Sequence, residues 1–241
     1  LEGTGCSTPS DITIGFEPTD GGAGPTPIFD PNGNEIGHFT GDAGIQTDDV
    51  PKLASGVENN GTADFASGGM AVFDTFPFSW HSDGGHEGDS TLEFLHKTPD
   101  GHGHGAMFWT SDGGGVHIWW EGGDSRFIKA DHVNTAEGGP KGQITGAVSL
   151  LQTTEWTQVA IVRTLVSEDP LMWHWDWYYD GTKFDGQSSD TTFQMPDGMG
   201  QAWRLSWPGR EYNGLMDEIR LVNKALTPSE MNTLDECQTP D

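Results

Sequence analysis

The stretch MWHWDWYYD (172–180) alternates large aromatics with groups that titrate or hydrogen-bond. In an extended strand successive side chains point to opposite faces. Trp173, Trp175, Trp177 and Tyr179 then share one face, and His174, Asp176 and Tyr178 share the other. The first set has the character of core. The second can accept, donate or move protons. GVHIWWE (115–121) aligns His117, Trp119 and Glu121 in the same way, and Arg163 and Arg204 add fixed cations. Sugars offer flat C–H faces that stack on rings, and hydroxyls that pair with carboxylates, imidazoles and guanidinium groups. A surface mixing these types suits a glycan, with His117, Trp119, Glu121, His174, Asp176, Tyr178 and Arg204 as ligand-binding candidates. The plainer reading is that His117 and His174 are satisfied surface or core residues.

Other chemistries find less support. Eliminating across a uronate needs a tuned acid–base pair and a cation, which His117, His174, Tyr178 and Arg163 or Arg204 would have to supply. A glycosidase needs two carboxyls at a set separation, and HWDWYYD holds two Asp but no Glu. His102 and His104 sit in a Gly-rich stretch with no third ligand at zinc spacing. There is no nucleophile elbow for Ser–His–Asp chemistry. Nor is there a phosphate-cradling Gly loop followed by Lys and Ser/Thr.

These residues must be positioned by strands. Helical periodicity is almost absent, and short apolar or alternating runs lie between Gly, Asp, Asn and Pro clusters. Strands are expected at 11–17, 69–76, 90–97, 106–111, 115–121, 126–133, 157–166, 172–180, 201–207 and 215–222, with turn-rich loops at 29–35 and 98–105. TPSEM (227–231) predicts a helix start: Thr227 caps, Pro228 fits the first helical position and Glu230 closes a capping box. The 241 residues suit one all-β domain over 1–241. Hydrophobic content is only 33%, so the 10 Trp and 12 Phe must carry much of the burial.

Charge narrows the partners. Against 37 acidic residues stand 11 basic ones, a net of −26, which disfavours nucleic acid phosphates and anionic membranes. It suits a saline or calcium-rich medium, or simply solubility. No run of about 18 apolar residues predicts a membrane helix, and the opening LEGTGCSTPSD reads as a mature or trimmed start. Cys6 and Cys237 stand near the two ends. A disulfide between them would tie the termini and imply a secreted or surface-displayed protein, and two unrelated thiols are the alternative.

EWTQVAIVRT, then WYYDGTKFD, then GLMDEIRLVNKALTPSEM resembles, in that order, the laminin G-like, concanavalin A-like jelly-roll family. These motifs span about the last third of the chain. The resemblance implies an antiparallel two-sheet β-sandwich with a short C-terminal helix, in which the strand at ITIGFE lies beside the closing strand at 215–222. It also implies a structural calcium between first and last strands, for which Glu17, Asp20 and Asp217 are the matching positions. The Glu-x-Asp-x-x-Glu carboxylates of the family's glucanases do not occur here. The expected function is noncatalytic recognition of a polysaccharide in a surface groove, by a module of a larger secreted protein. A jelly-roll polysaccharide lyase and a protein-adhesion domain are the alternatives.

Overall fold

A computed structural model describes residues 12–14, 26–29, 34–49, 51, 61–65, 68–73, 89–98, 105–110, 114–121, 127–134, 139–146, 155–168, 171–183, 189–192, 203–207, 209–222 and 224–231. For 12–14, 127–134, 139–146, 171, 189–192, 203, 221, half of 105–110 and all of 114–121 except 118 that description is of the backbone. The strands in chain order are β1 (Ile12–Ile14), β2 (Pro27–Phe29), β3 (Glu35–Thr40), β4 (Gly44–Gln46), β5 (Thr62–Asp64), β6 (Met70–Phe73), β7 (Ser90–Lys97), β8 (Gly105–Thr110) and β9 (Gly114–Glu121). They continue with β10 (Phe127–Asn134), β11 (Gly139–Gly146), β12 (Thr157–Glu168), β13 (Leu171–Tyr179), β14 (Thr182–Lys183), β15 (Ser189–Thr192), β16 (Trp203–Leu205) and β17 (Leu215–Val222). A single helical turn, α1 (228–231), follows.

The strands form two antiparallel sheets. Sheet A runs β14-β13-β12-β7-β17-β5-β4, with β15 also on β13 and β1 also on β17. Sheet B runs β11-β10-β9-β8-β16-β6-β3-β2. As expected, β1 lies beside β17, with Ile12 opposite Leu221 and Ile14 opposite Ile219. The free edge of β17 is shared, because β5 pairs with Leu215 and Met216 and β1 takes over from Ile219.

Between those two partners β17 bulges, and the register with β7 shifts between Asp217 and Arg220. Glu218 has a φ of 45° there, and Asp217 Oδ1 accepts its amide at 2.9 Å. The Asp-Glu pair of the GLMDEIR motif thus builds a bulge and satisfies the amide that the bulge frees. The YYDGTK motif is a two-residue hairpin. Asp180 and Gly181 have φ of 46° and 69°, and Tyr179 pairs with Thr182. Asp-Gly is the pair that tolerates two positive φ values in succession. The turn is also pinned to β12, since Asp180 Oδ1 accepts the Gln158 amide at 2.9 Å.

The core fills the space between the sheets. Sheet A contributes Leu92, Phe94, Val159, Ile161, Trp173, Trp175, Trp177, Met216 and Ile219. Sheet B contributes Ile28, Phe39, Ala71, Phe73, Phe108, Ile118 and Leu205. The layers meet directly where Phe94 of β7 tilts on Phe108 of β8, ring centroids 4.8 Å apart. The aromatic face of β13 is therefore core, as the alternation predicted. Three buried tryptophans on one strand offset the low aliphatic content, because each hides on the order of 150–250 Å².

Candidate functional site

The two outer faces differ in what they carry. On sheet A the outward row of β13 is His174, Asp176 and Tyr178. Asp176 is held from both sides, by His174 Nε2 at 3.1 Å on Oδ1 and by Lys183 Nζ at 2.9 Å on Oδ2. Tyr178 is only 7% exposed and packs with Ala160, Val162, Val222, Leu226 and Met231 beneath the C-terminal segment. Burial first, and then the Asp176 charge, raise its pKa, while Lys183 acts in the opposite sense. A raised phenol is a poorer base at neutral pH.

The C-terminal segment is fastened to this face by polar groups. Arg220 pairs with Glu93 through Nη2 and donates from Nε to Oε2 at 2.7 Å. Gln158 Nε2 bridges Glu93 Oε1 at 3.3 Å and the Met231 carbonyl at 3.1 Å. Thr91 Oγ1 donates to the Lys224 carbonyl at 2.7 Å and accepts the Leu226 amide at 3.0 Å. At the head of α1 the Glu230 half of the capping box is formed: Glu230 Oε2 accepts the Thr227 amide and the Thr227 hydroxyl, both at 2.8 Å, while the Glu230 amide goes to the Thr227 carbonyl at 2.9 Å.

Arg163 lies elsewhere. It pairs with Trp175 across β12 and β13, so it points into the sandwich, 1% exposed, with its Cζ 4.7 Å from the centre of Trp173. Desolvation pushes its pKa down to about 9 against the opposing pull of Asp89. Neighbouring strand positions face opposite ways, so this cation cannot serve a substrate held at His174 and Tyr178. The acid, base and cation of the elimination chemistry do not converge on sheet A.

Sheet B collects the remaining candidates. Leu205, Phe108 and Ile118 are buried in the core, and alternation from Leu205 places Arg204 on the other face. Register extends that line across the sheet. Val72 of β6 lies between His38 of β3 and Arg204 of β16, and Arg204 lies opposite Trp109 of β8. Phe108 of β8 pairs with Ile118 of β9, where His117 is opposite Asp131 of β10, itself opposite Gln143 of β11. Trp119 and Glu121 follow His117 at the same alternation on β9, and their side chains are outside the described residues, as is that of His117.

His38, Val72, Arg204 and Trp207 are all half-buried. Arg204 Cζ lies over the Trp207 ring at 5.4 Å. Strict alternation would separate positions 204 and 207. Ser206, with a φ of 66°, breaks it and brings them together. Sequence reasoning missed Trp207 for that reason, and missed His38 because β3 was not anticipated.

The named ligand-binding candidates are thus divided between opposite sides of the sandwich. His117, Trp119, Glu121 and Arg204 are on sheet B, and His174, Asp176 and Tyr178 on sheet A. Of the calcium positions, Asp217 is fully buried with Oδ1 on the Glu218 amide, while Glu17 and Asp20 lie outside the described residues. So do Cys6, Cys237, His102 and His104. Among the described residues no group of three His, Cys, Asp or Glu is gathered as a metal site, and no helix is long and apolar enough to cross a membrane.

Two facing antiparallel sheets with a mixed polar and aromatic outer face define a jelly-roll of the lectin and glucanase kind. Residues 78–232 match Laminin_G_3, the concanavalin A-like lectin/glucanases superfamily, and the chain belongs to that family. The match begins well before the last third, where the recognisable motifs are concentrated. No curated protein matches the chain by sequence.

Among solved structures the chain is similar to domain 4 of AbnA, an extracellular arabinanase from Geobacillus stearothermophilus, solved with arabinotriose. The TM-score is 0.57 at 18% identity, over 87% of this chain and 92% of that one. It is also similar to the binding domain of botulinum neurotoxin DC in complex with SialylT, with a TM-score of 0.58 at 10% identity. That match covers 95% of this chain and 51% of the toxin chain. The same toxin domain in complex with rat synaptotagmin II gives 0.59 at 9%, over 95% and 52%. Likeness at these identities speaks for the fold.

Proposed function

We propose that this chain is a noncatalytic carbohydrate-binding module of a larger extracellular protein, and that it holds a polysaccharide on the outer face of sheet B. One observation carries the proposal: the row His38, Val72 and Arg204, with Trp207 near the guanidinium, spans three neighbouring strands of that sheet half-buried. A ring and a fixed cation side by side supply the stacking surface and the hydrogen-bond donors that a sugar needs. Sheet A is a poorer platform, because α1 covers part of its outer face and its polar groups there are engaged with one another. The known proteins with this fold that hold arabinotriose and SialylT support a glycan as the ligand class. Retention on a panel of immobilised polysaccharides, read also for new ultraviolet absorbance, tests the proposal. Retention without product is the expected result, and release of unsaturated uronate or silence across the panel would overturn it.

Calcium belongs to the same proposal as a structural ion near β17. The buried carboxylate of Asp217 is a hard oxygen donor of the kind calcium takes. Added calcium is expected to raise the melting temperature and chelator to lower it, and an unchanged melt would remove the ion.

A further inference from the structure

Most described cations of this chain are already matched to an acid. Lys97 is on Asp49, Lys183 on Asp176, Arg220 on Glu93 and Lys224 on Glu230. With 37 acidic residues against 11 basic ones, a protein carboxylate is rarely far from any cation. Arg204 departs from that pattern. It makes no ion pair among the described residues, and its Cζ lies 5.4 Å over the centre of the Trp207 ring. A charge-assisted bond from a guanidinium to an anion is among the stronger hydrogen bonds. The guanidinium is planar and presents its donors as a fork, with the indole of Trp207 beside it. That is a receptor for two parallel oxygens.

Resting on the reading of sheet B as the glycan face, we infer that Arg204 reads the carboxylate of a uronic acid, so that the polysaccharide recognised is a uronate polymer rather than a neutral one. The surrounding field selects among anions. A densely sulfated chain needs a basic patch to gather it, and at −26 this protein would repel it on every side of one cation. A polymer with one carboxylate per sugar asks less of the surface. It can place a single group in the Arg204 fork and leave its flat sugar face to Trp207. Salt should screen the surrounding repulsion more than the half-buried pair.

The test uses the whole chain in affinity electrophoresis and calorimetry. The probes are polygalacturonate, glucuronan and alginate, the carboxyl-reduced form of each, arabinan, and a sulfated galactan. Arg204→Gln and Arg204→Lys are run beside the wild type, with tryptophan fluorescence melts to show that each is folded. The expected result is that one of the uronate polymers binds and that its carboxyl-reduced form binds at least tenfold more weakly. Arg204→Gln should remove that preference, and Arg204→Lys should restore part of it, since a charge without the fork makes fewer parallel bonds. Equal binding of native and carboxyl-reduced polymer by wild type overturns the inference without needing any variant. So does preferred binding of arabinan or of the sulfated galactan. Each of those results would leave the glycan-binding reading standing. Binding to none of the probes would instead remove that reading, and this one with it.

Discussion

The two outer faces are built from similar residue types and are used in opposite ways. On sheet A, Glu93, Arg220, Gln158 and Thr91 are turned toward one another and toward the backbone of the C-terminal segment. On sheet B, Arg204 is turned toward a ring and meets no carboxylate among the described residues. A polar network tied to the chain's own backbone holds the molecule together, and a cation set beside a ring is placed to meet a ligand. The arginines show this most clearly. Arg220 is fixed by a carboxylate, Arg163 by burial against Trp173, and Arg204, among the described residues, by Trp207.

If that contrast is right, disturbing sheet A should change stability and leave recognition alone. The largest effect is expected from Glu93→Ala, which strands the Arg220 guanidinium in a buried site. Such a loss costs about 3–5 kcal/mol. Urea denaturation should show it, while the protein that remains folded should retain glycan normally. A loss of binding with no loss of stability would reverse the assignment of the two faces.

Next comes acid. His96 points inward from β7, with its Nδ1 3.3 Å from both the Thr98 and the Tyr212 hydroxyls. Burial lowers its pKa from 6.5 to about 3. The folded state therefore keeps it neutral where the unfolded chain would take a proton. Its contribution is whole above pH 6.5 and is lost as pH falls from there toward 3. His96→Asn should shrink the drop in melting temperature between pH 7 and pH 4. A pH profile unchanged by the substitution would show that His96 is not the acid-sensitive group.

On sheet B the expectation turns round. Trp207→Ala should weaken glycan binding about tenfold, near 1.4 kcal/mol, by removing both a stacking surface and the support under Arg204. Stability should move less than with Glu93→Ala, because the ring is only partly buried and is not part of the core. His174→Ala on sheet A is the control and should leave binding unchanged.

The degree to which each face could be read beforehand follows from how local its signals are. The core face of β13 follows from period-two alternation within nine residues. The Asp180-Gly181 hairpin and the TPSE cap are local backbone chemistry, and both formed as their residues require. The expected strands over 90–97 and 215–222 match the observed ones end to end. Short strands were not legible. β2, β4 and β5 are each three residues long, and β14 is two, too brief for any period to emerge. The site suffered more, because it depends on which strands become neighbours. His117 and His174 look alike in sequence, yet one is on β9 and the other on β13, in different sheets. Nothing within either strand says which sheet it joins. Arg163 looked as available as Arg204 until the register set it opposite Trp175. The meeting of Arg204 with Trp207 depends on one left-handed residue, Ser206, whose identity does not announce a positive φ.

The smallest expected effect concerns the cover of sheet A itself. Glu230 joins the Thr227 cap to Lys224, and the Lys224 contact first, then the bonds from Thr227, lower its pKa from 4.5 to about 2. The carboxylate is largely solvated, so caps of this kind contribute on the order of 1 kcal/mol or less. Glu230→Gln should destabilise slightly at pH 7. Because the folded pKa is depressed, the stabilisation is present above pH 4.5 and is lost as pH falls toward 2, so the two melting curves should converge over that interval. The substitution reaches Gln158 and Glu93 only through the seating of Met231. Convergence in acid with no change in glycan retention would place the cap wholly on the structural side of the molecule. A retention change would mean that the two faces communicate through the core between them.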